Sequence, residues 1–119
     1  MELKVHTREV EDVTMVDVSG RIILGDETST LRKTIRDLVS NGKKKIVLNL
    51  AEVSYIDSSG VGELVASYTA VRSAGGELKL LNLTKKVHDL LQVTKLYTIF
   101  DIKDSEFMAV KSFDWFFAK

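Results

Sequence analysis

Near the middle of the 119-residue chain, the run Asp57-Ser58-Ser59-Gly60-Val61-Gly62 sets two hydroxyls beside a carboxylate and two glycines. Four chemistries use such a set. The first is helix capping: Asp and Ser oxygens accept hydrogen bonds from the first amides of a helix, and losing a cap costs about 1 kcal/mol. Glycine lets the backbone turn sharply into the helix. The second is a phosphate cradle, which needs G-x-G-x-x-G/A or G-x-x-x-x-G-K-[ST]. Gly60 and Gly62 begin the first pattern, but Val65 fills its third position and belongs to an apolar stripe; the second pattern is absent. The third is a serine nucleophile. That needs a base within hydrogen-bond reach, and the G-x-S-x-G elbow is missing. His6 and His88, expected on a first strand and a third helix, have no reason to meet Ser58. The fourth is an acceptor for a group added by another enzyme. Phosphate on a serine adds about −1.5 to −2 charge. A helix N-terminus favours that charge by about 0.3–1 kcal/mol, while Asp57 opposes it. The fold is then expected to survive and the surface met by a partner to change.

These residues must be held by a domain of ordinary globular make-up, 45% hydrophobic and 29% charged. Its length fits one domain, residues 1–119, with a single core. The 17 Lys and Arg balance 17 Asp and Glu, which argues against a nucleic-acid partner recruited by bulk charge. Cysteine is absent and the two histidines lack ligand spacing, so neither disulfides nor a metal site is expected, and no cofactor is implied. No apolar run approaches the roughly 20 residues of a membrane span. The N-terminus alternates rather than forming a signal peptide, so the expected compartment is the cytoplasm.

Period and punctuation give the elements. Leu3 and Val5 alternate with polar neighbours, Glu11-Asp12 reads as a turn, and residues 14–20 follow as a second strand with Val16 and Val18 on one face. Ile22-Ile23-Leu24 adds a short extended piece. Leu31, Ile35, Leu38 and Val39 mark one face of a first helix, capped by Asp26 or Thr28 and ended by Asn41-Gly42. The branched run Ile46–Leu50 reads as a strand buried on both faces. A second helix carries Val61, Leu64, Val65, Tyr68 and Val71 on one stripe and stops at Gly75-Gly76. Residues 77–83 alternate as a strand, 84–93 form a helix through Val87, Leu90 and Leu91, 96–100 form a last strand, and a last helix starts at 104. The order β-β-α-β-α-β-α-β-α predicts an α/β fold: a mixed, mostly parallel central sheet with an N-terminal antiparallel hairpin, covered by about four helices. In such sheets the loops past the carboxyl ends of strands form the functional edge, and Ser58 lies in one of them.

Across residues 45–83, from Lys45-Ile46-Val47 through Tyr55-Ile56-Asp57-Ser58-Ser59-Gly60-Val61-Gly62 to the glycine pair and the strand after it, the chain resembles the STAS-domain anti-sigma factor antagonists. Weaker marks are Val18–Ile22 and residues 99–113, and the resemblance covers essentially the whole length. It implies a protein that is not an enzyme but a partner-switching regulator of transcription. Ser58 corresponds to the family's phosphoacceptor and Asp57 to its acidic neighbour. Ser59 occupies the adjacent Ser/Thr position, and Gly60 and Gly62 shape the loop. The binding face would extend to Ser19, Gly20, Ile22, Gly25 and Asp26. The implied partners are an ATP-binding serine kinase that is itself the anti-sigma factor, released on phosphorylation of Ser58, and a PP2C-type phosphatase that resets the switch. The expected state is a monomer or weak dimer.

A second STAS role stays open: a scaffold subunit of a stress-sensing complex or a lipid-transport subunit, without a sigma-factor partner. A small hydrolase built on Ser58 would need a base that the sequence does not supply. The C-terminus departs from the family by its aromatics, Phe113, Trp115, Phe116 and Phe117. Packing on the sheet is the expected role. Four aromatics in five positions exceed one helical face, so a self-association or partner contact is the other.

Overall fold

The structure is a computed structural model. It describes the backbone of residues 3–117 and side chains as far as Phe113. The expectation for Trp115, Phe116 and Phe117 lies outside the described side chains.

Two strands, β1 (Lys4–Val10) and β2 (Val13–Ile22), pair antiparallel across a tight turn in which Glu11 takes a left-handed φ of 58°. The chain then runs through α1 (Asp26–Ser40), β3 (Lys45–Ile56), α2 (Ser58–Ser73), β4 (Glu77–Leu81), α3 (Lys85–Val93), β5 (Asp101–Lys103) and α4 (Glu106–Phe117). The five-stranded sheet has the order β1-β2-β3-β4-β5, and every pair after the hairpin is parallel. The fold is the mixed α/β sheet expected, with four α-helices.

Alternation along each strand explains the two cores. On β3, Ile46, Leu48 and Leu50 face α1, α2 and α3, meeting Leu31, Ile35, Leu64 and Leu91. Val47 points the other way, with Met15 and Leu81, onto Ala109, Val110 and Phe113 of α4. Phe113 is fully buried there, with Lys79 Nζ 4.8 Å from its ring centroid. Farther along that face the sheet is polar. Asp17 accepts from Arg8 Nε at 2.6 Å and from the Asn49 amide at 2.9 Å.

Two local expectations are corrected. Residues 96–100 are not a strand: Leu96–Thr98 form a single 3-10 turn behind Lys95, whose φ is 62°. The strand comes after it, at Asp101–Lys103, where Asp101 pairs with the buried Lys79 at 2.6 Å. An apolar run was the misleading signal, because Leu96 and Phe100 pack inward while Tyr97 and Ile99 are exposed. The cap of α1 is neither Asp26 nor Thr28. It is Gly25 at φ 117°, with no side-chain cap, and Thr28 Oγ1 donates to the Gly25 carbonyl at 3.0 Å. The other end of α1 is as expected: Asn41 is the C-cap and Gly42 follows at a left-handed φ of 78°.

Candidate functional site

Parallel pairing brings the ends of β2 and β3 side by side, with Ile22 opposite Ile56. The loops that leave these ends, toward α1 and α2, must therefore touch. Asp57 joins them. At φ −104° and ψ −176° it is the N-cap of α2, and its Oδ1 accepts from the Gly60 amide at 2.8 Å. Its Oδ2 accepts from the Leu24 amide at 3.2 Å, and its own amide donates to the Ile22 carbonyl at 3.3 Å. One carboxylate thus starts α2 and ties down the β2–α1 loop. The Gly60 amide above all, helped by the Leu24 and Ser59 amides, holds that carboxyl below the usual carboxylate range against an opposing desolvation that is second only to the Gly60 hydrogen bond.

Gly60 is buried because the loops meet there. A Cβ on it would lie 2.1 Å from the Ile22 carbonyl oxygen. Gly62 is different: it is exposed, and a Cβ there meets nothing within 4 Å.

Ser58 is the first residue of α2 and is exposed, and its hydroxyl takes no part in the Asp57 network. Ser59 follows, half-buried. Gly25 and Asp26 are exposed on the neighbouring loop and at the start of α1. Ser19 and Gly20 lie farther back on β2, half-buried, opposite Glu52 and Val53 at an irregularity in the ladder. Gly20 has φ 111°, and its carbonyl accepts from the Ser54 hydroxyl at 3.3 Å. Ile22 is fully buried, which corrects the expectation that it meets a partner directly; it serves the site through its carbonyl.

Neither histidine comes to Ser58. His6 Nδ1 lies 3.8 Å from Asp17 on the hairpin, and His88 Nδ1 lies 3.8 Å from Asp89 on α3. A serine without a neighbouring base remains a weak nucleophile.

Sequence reasoning missed two features. Leu24 is 74% exposed beside Asp57, and its only signal was an apolar residue in a glycine-ended loop. Glu63 is 5% exposed, and its Oε1 accepts from Arg32 Nε at 3.1 Å and Nη2 at 2.8 Å, locking α1 to α2. No spacing rule links a residue on one helix to a residue on another.

The model of the STAS domain matches residues 4–109. The anti-sigma-B factor antagonist of Bacillus subtilis is 32% identical over 102 residues, covering 86% of this chain and 92% of its own. The anti-sigma F factor antagonist of Paenibacillus polymyxa is 30% identical over 112 residues, covering 92% of this chain and 94% of its own. A crystal structure from Thermotoga maritima, assigned as an anti-sigma factor antagonist, superposes with a TM-score of 0.83 at 27% identity, covering 91% of this chain and 92% of that one. With the mixed five-stranded sheet, the α2 start built by Asp57 and these full-length relatives in agreement, the chain belongs to the STAS domain family.

Proposed function

We propose that this chain is an anti-sigma factor antagonist whose binding to its partner is switched by phosphorylation of Ser58. The observation that carries the reading is the division of labour between neighbours: Asp57 is committed to capping and bridging, while Ser58 is presented outward at the same turn. Two full-length relatives bear the name of antagonists of anti-sigma factors.

The chemistry belongs to the partner. A serine kinase holding ATP transfers the γ-phosphoryl group: the bond from the Ser58 oxygen to phosphorus forms, the bond from the β–γ bridging oxygen breaks, and the hydroxyl proton passes to a base on the kinase. The chain's part is positional. The double hold of Asp57 fixes the Ser58 backbone before the kinase arrives, which limits the ordering required on docking. The added charge of about −1.5 to −2 then stands beside Asp57 at an interface fitted to a neutral hydroxyl. Like-charge juxtaposition across an interface costs several kcal/mol, which is enough to release the partner. A PP2C-type phosphatase would restore the binding form. Asp57, Ser58, Ser59, Gly62, Gly25 and Asp26 form the proposed contact surface, Ser19 and Gly20 its margin, and Gly60 and Ile22 its support. The antagonist has no catalytic step of its own in this reading, and a cytoplasmic location follows from it, since sigma factors act there.

The test is phosphosite mapping of the chain isolated from its own cells, with identification of what co-purifies. Phosphate on Ser58, absent from Ser58→Ala, together with an ATP-binding anti-sigma factor among the partners, is the expected result. An unmodified Ser58 under growth and stress, with a transporter or scaffold as the partner, would overturn it.

A further inference from the structure

Ser58 is the first step of a track. Along α2, Ser58, Gly62, Ala66 and Ala70 recur at four-residue spacing and are all exposed. Residues at this spacing form one ridge of a helix, and this ridge has almost no side-chain height. Gly62 has no reason within the chain to be glycine, since its Cβ position is open and glycine inside a helix costs about 1 kcal/mol relative to alanine. Beside the ridge runs a groove of about 220 Å³ between α1 and α2. Ile35 and Ser67 line it, each 2% exposed, and the Ser67 hydroxyl oxygen is buried with no hydrogen-bond partner among the described residues. Arg32 and Arg36 line its α1 side. Arg32 is occupied by Glu63; Arg36 is exposed and has no acidic partner among the described residues.

We infer that this ridge and groove are the seat of an α-helix of the antagonised factor, carrying small or apolar residues against Gly62, Ala66 and Ala70 and an acidic side chain toward Arg36. The inference rests on the reading above and extends the contact from the phosphorylated turn along most of α2. The low ridge permits close approach of a helix axis, since interaxial distance is set by the side chains at the contact. The guanidinium of Arg36 selects a carboxylate with which it can pair in a bidentate fork. The stranded Ser67 hydroxyl lies beneath the groove lining, so a polar group on the incoming helix reaches it only where that lining moves aside. Ala70 lies twelve residues beyond Ser58, about 18 Å along the helix, so this contact is separate from the phosphorylated turn.

The experiment measures affinity of the purified anti-sigma factor for the parent chain, Ala70→Trp, Arg36→Glu, Ser58→Asp and the distant charge control Lys4→Glu. Each variant is checked by thermal melting. The expected result is a Kd raised at least tenfold by Ala70→Trp and by Arg36→Glu, unchanged within twofold for Lys4→Glu, with melting temperatures close to the parent. Parent-like binding by both groove variants beside lost binding by Ser58→Asp would overturn this inference and leave the Ser58 reading standing. Parent-like binding by Ser58→Asp overturns that reading and the inference with it. Self-association of the parent in sedimentation equilibrium, abolished by Ala70→Trp while the factor still binds that variant, would assign the groove to a second copy of the chain and overturn the inference.

Discussion

The Ile22 carbonyl approaches Gly60 so closely that any side chain at Gly60 would overlap it, with 2.1 Å from oxygen to the Cβ position. The contact is between backbones, so no rotamer change relieves it. Gly60→Ala must push the start of α2 away from the end of β2, breaking the hydrogen bonds Asp57 makes to both. The expected loss is about 2–3 kcal/mol, in the range of overpacked cores, read as a lower urea midpoint.

Gly62→Ala should act in the opposite direction on stability. Its Cβ enters open space, so the helix gains about 0.5–1 kcal/mol in the same urea titration. Affinity for the anti-sigma factor should fall, because the methyl group stands on the surface proposed for contact. A variant that is more stable and binds as tightly as the parent would show that Gly62 does not touch the partner.

Ser58→Asp should melt within a few degrees of the parent, because a carboxylate in the first turn of a helix is electrostatically favoured. Its affinity for the anti-sigma factor should drop at least tenfold. Ser58→Ala should bind as the parent does and should not be released by ATP. Release of Ser58→Ala by ATP would move the acceptor to another hydroxyl, Ser59 first.

Arg32→Ala leaves the Glu63 carboxylate, 5% exposed, without its guanidinium. Stability should fall by about 1–3 kcal/mol, less than for a wholly buried pair because Arg32 itself is half exposed. Replacing both partners, Arg32→Met with Glu63→Leu, should recover most of that loss, as apolar pairs of similar volume often do. A double-mutant cycle by chemical denaturation measures the coupling directly.

Acid stability has a defined sign. The Arg8 guanidinium, then the Asn49 amide, hold the Asp17 carboxyl below its ordinary value of 3.8 in the folded chain. A carboxyl whose folded value is depressed stabilises the fold above its unfolded value, and that contribution disappears as pH falls through the folded one. The stability difference between the parent and Asp17→Asn should therefore be constant above about pH 5 and shrink below about pH 4. A difference that grew on acidification would rule out the ion pair as its source.

Much of this was legible before any coordinates. The hairpin, the doubly buried β3 and the helix that follows Asp57 declare themselves by period and composition. What was hidden had a specific cause each time. β5 reads Asp-Ile-Lys, and no alternation of apolar residues marks it, because the Asp101–Lys79 pair takes the place of an apolar contact. Residue type points to Asp26 or Thr28 as the cap of α1, yet Gly25 occupies it because the loop arrives at φ 117°. At the site, the acidity and capping preference of Asp57 could be read, but its reach to the Leu24 amide depends on how two distant strands are paired.

The two ends of the sheet carry a further consequence. β1 and β5 are its edges. β5 has only three residues, two of them charged, and β1 bears Lys4, His6, Arg8 and Glu9. Unpaired strand edges recruit other chains into growing sheets, and short or charged edges discourage it. In the proposed switch, the chain would spend part of every cycle released from its partner. The ionic fringe at both edges would let that released form stay dispersed instead of being lost to fibres.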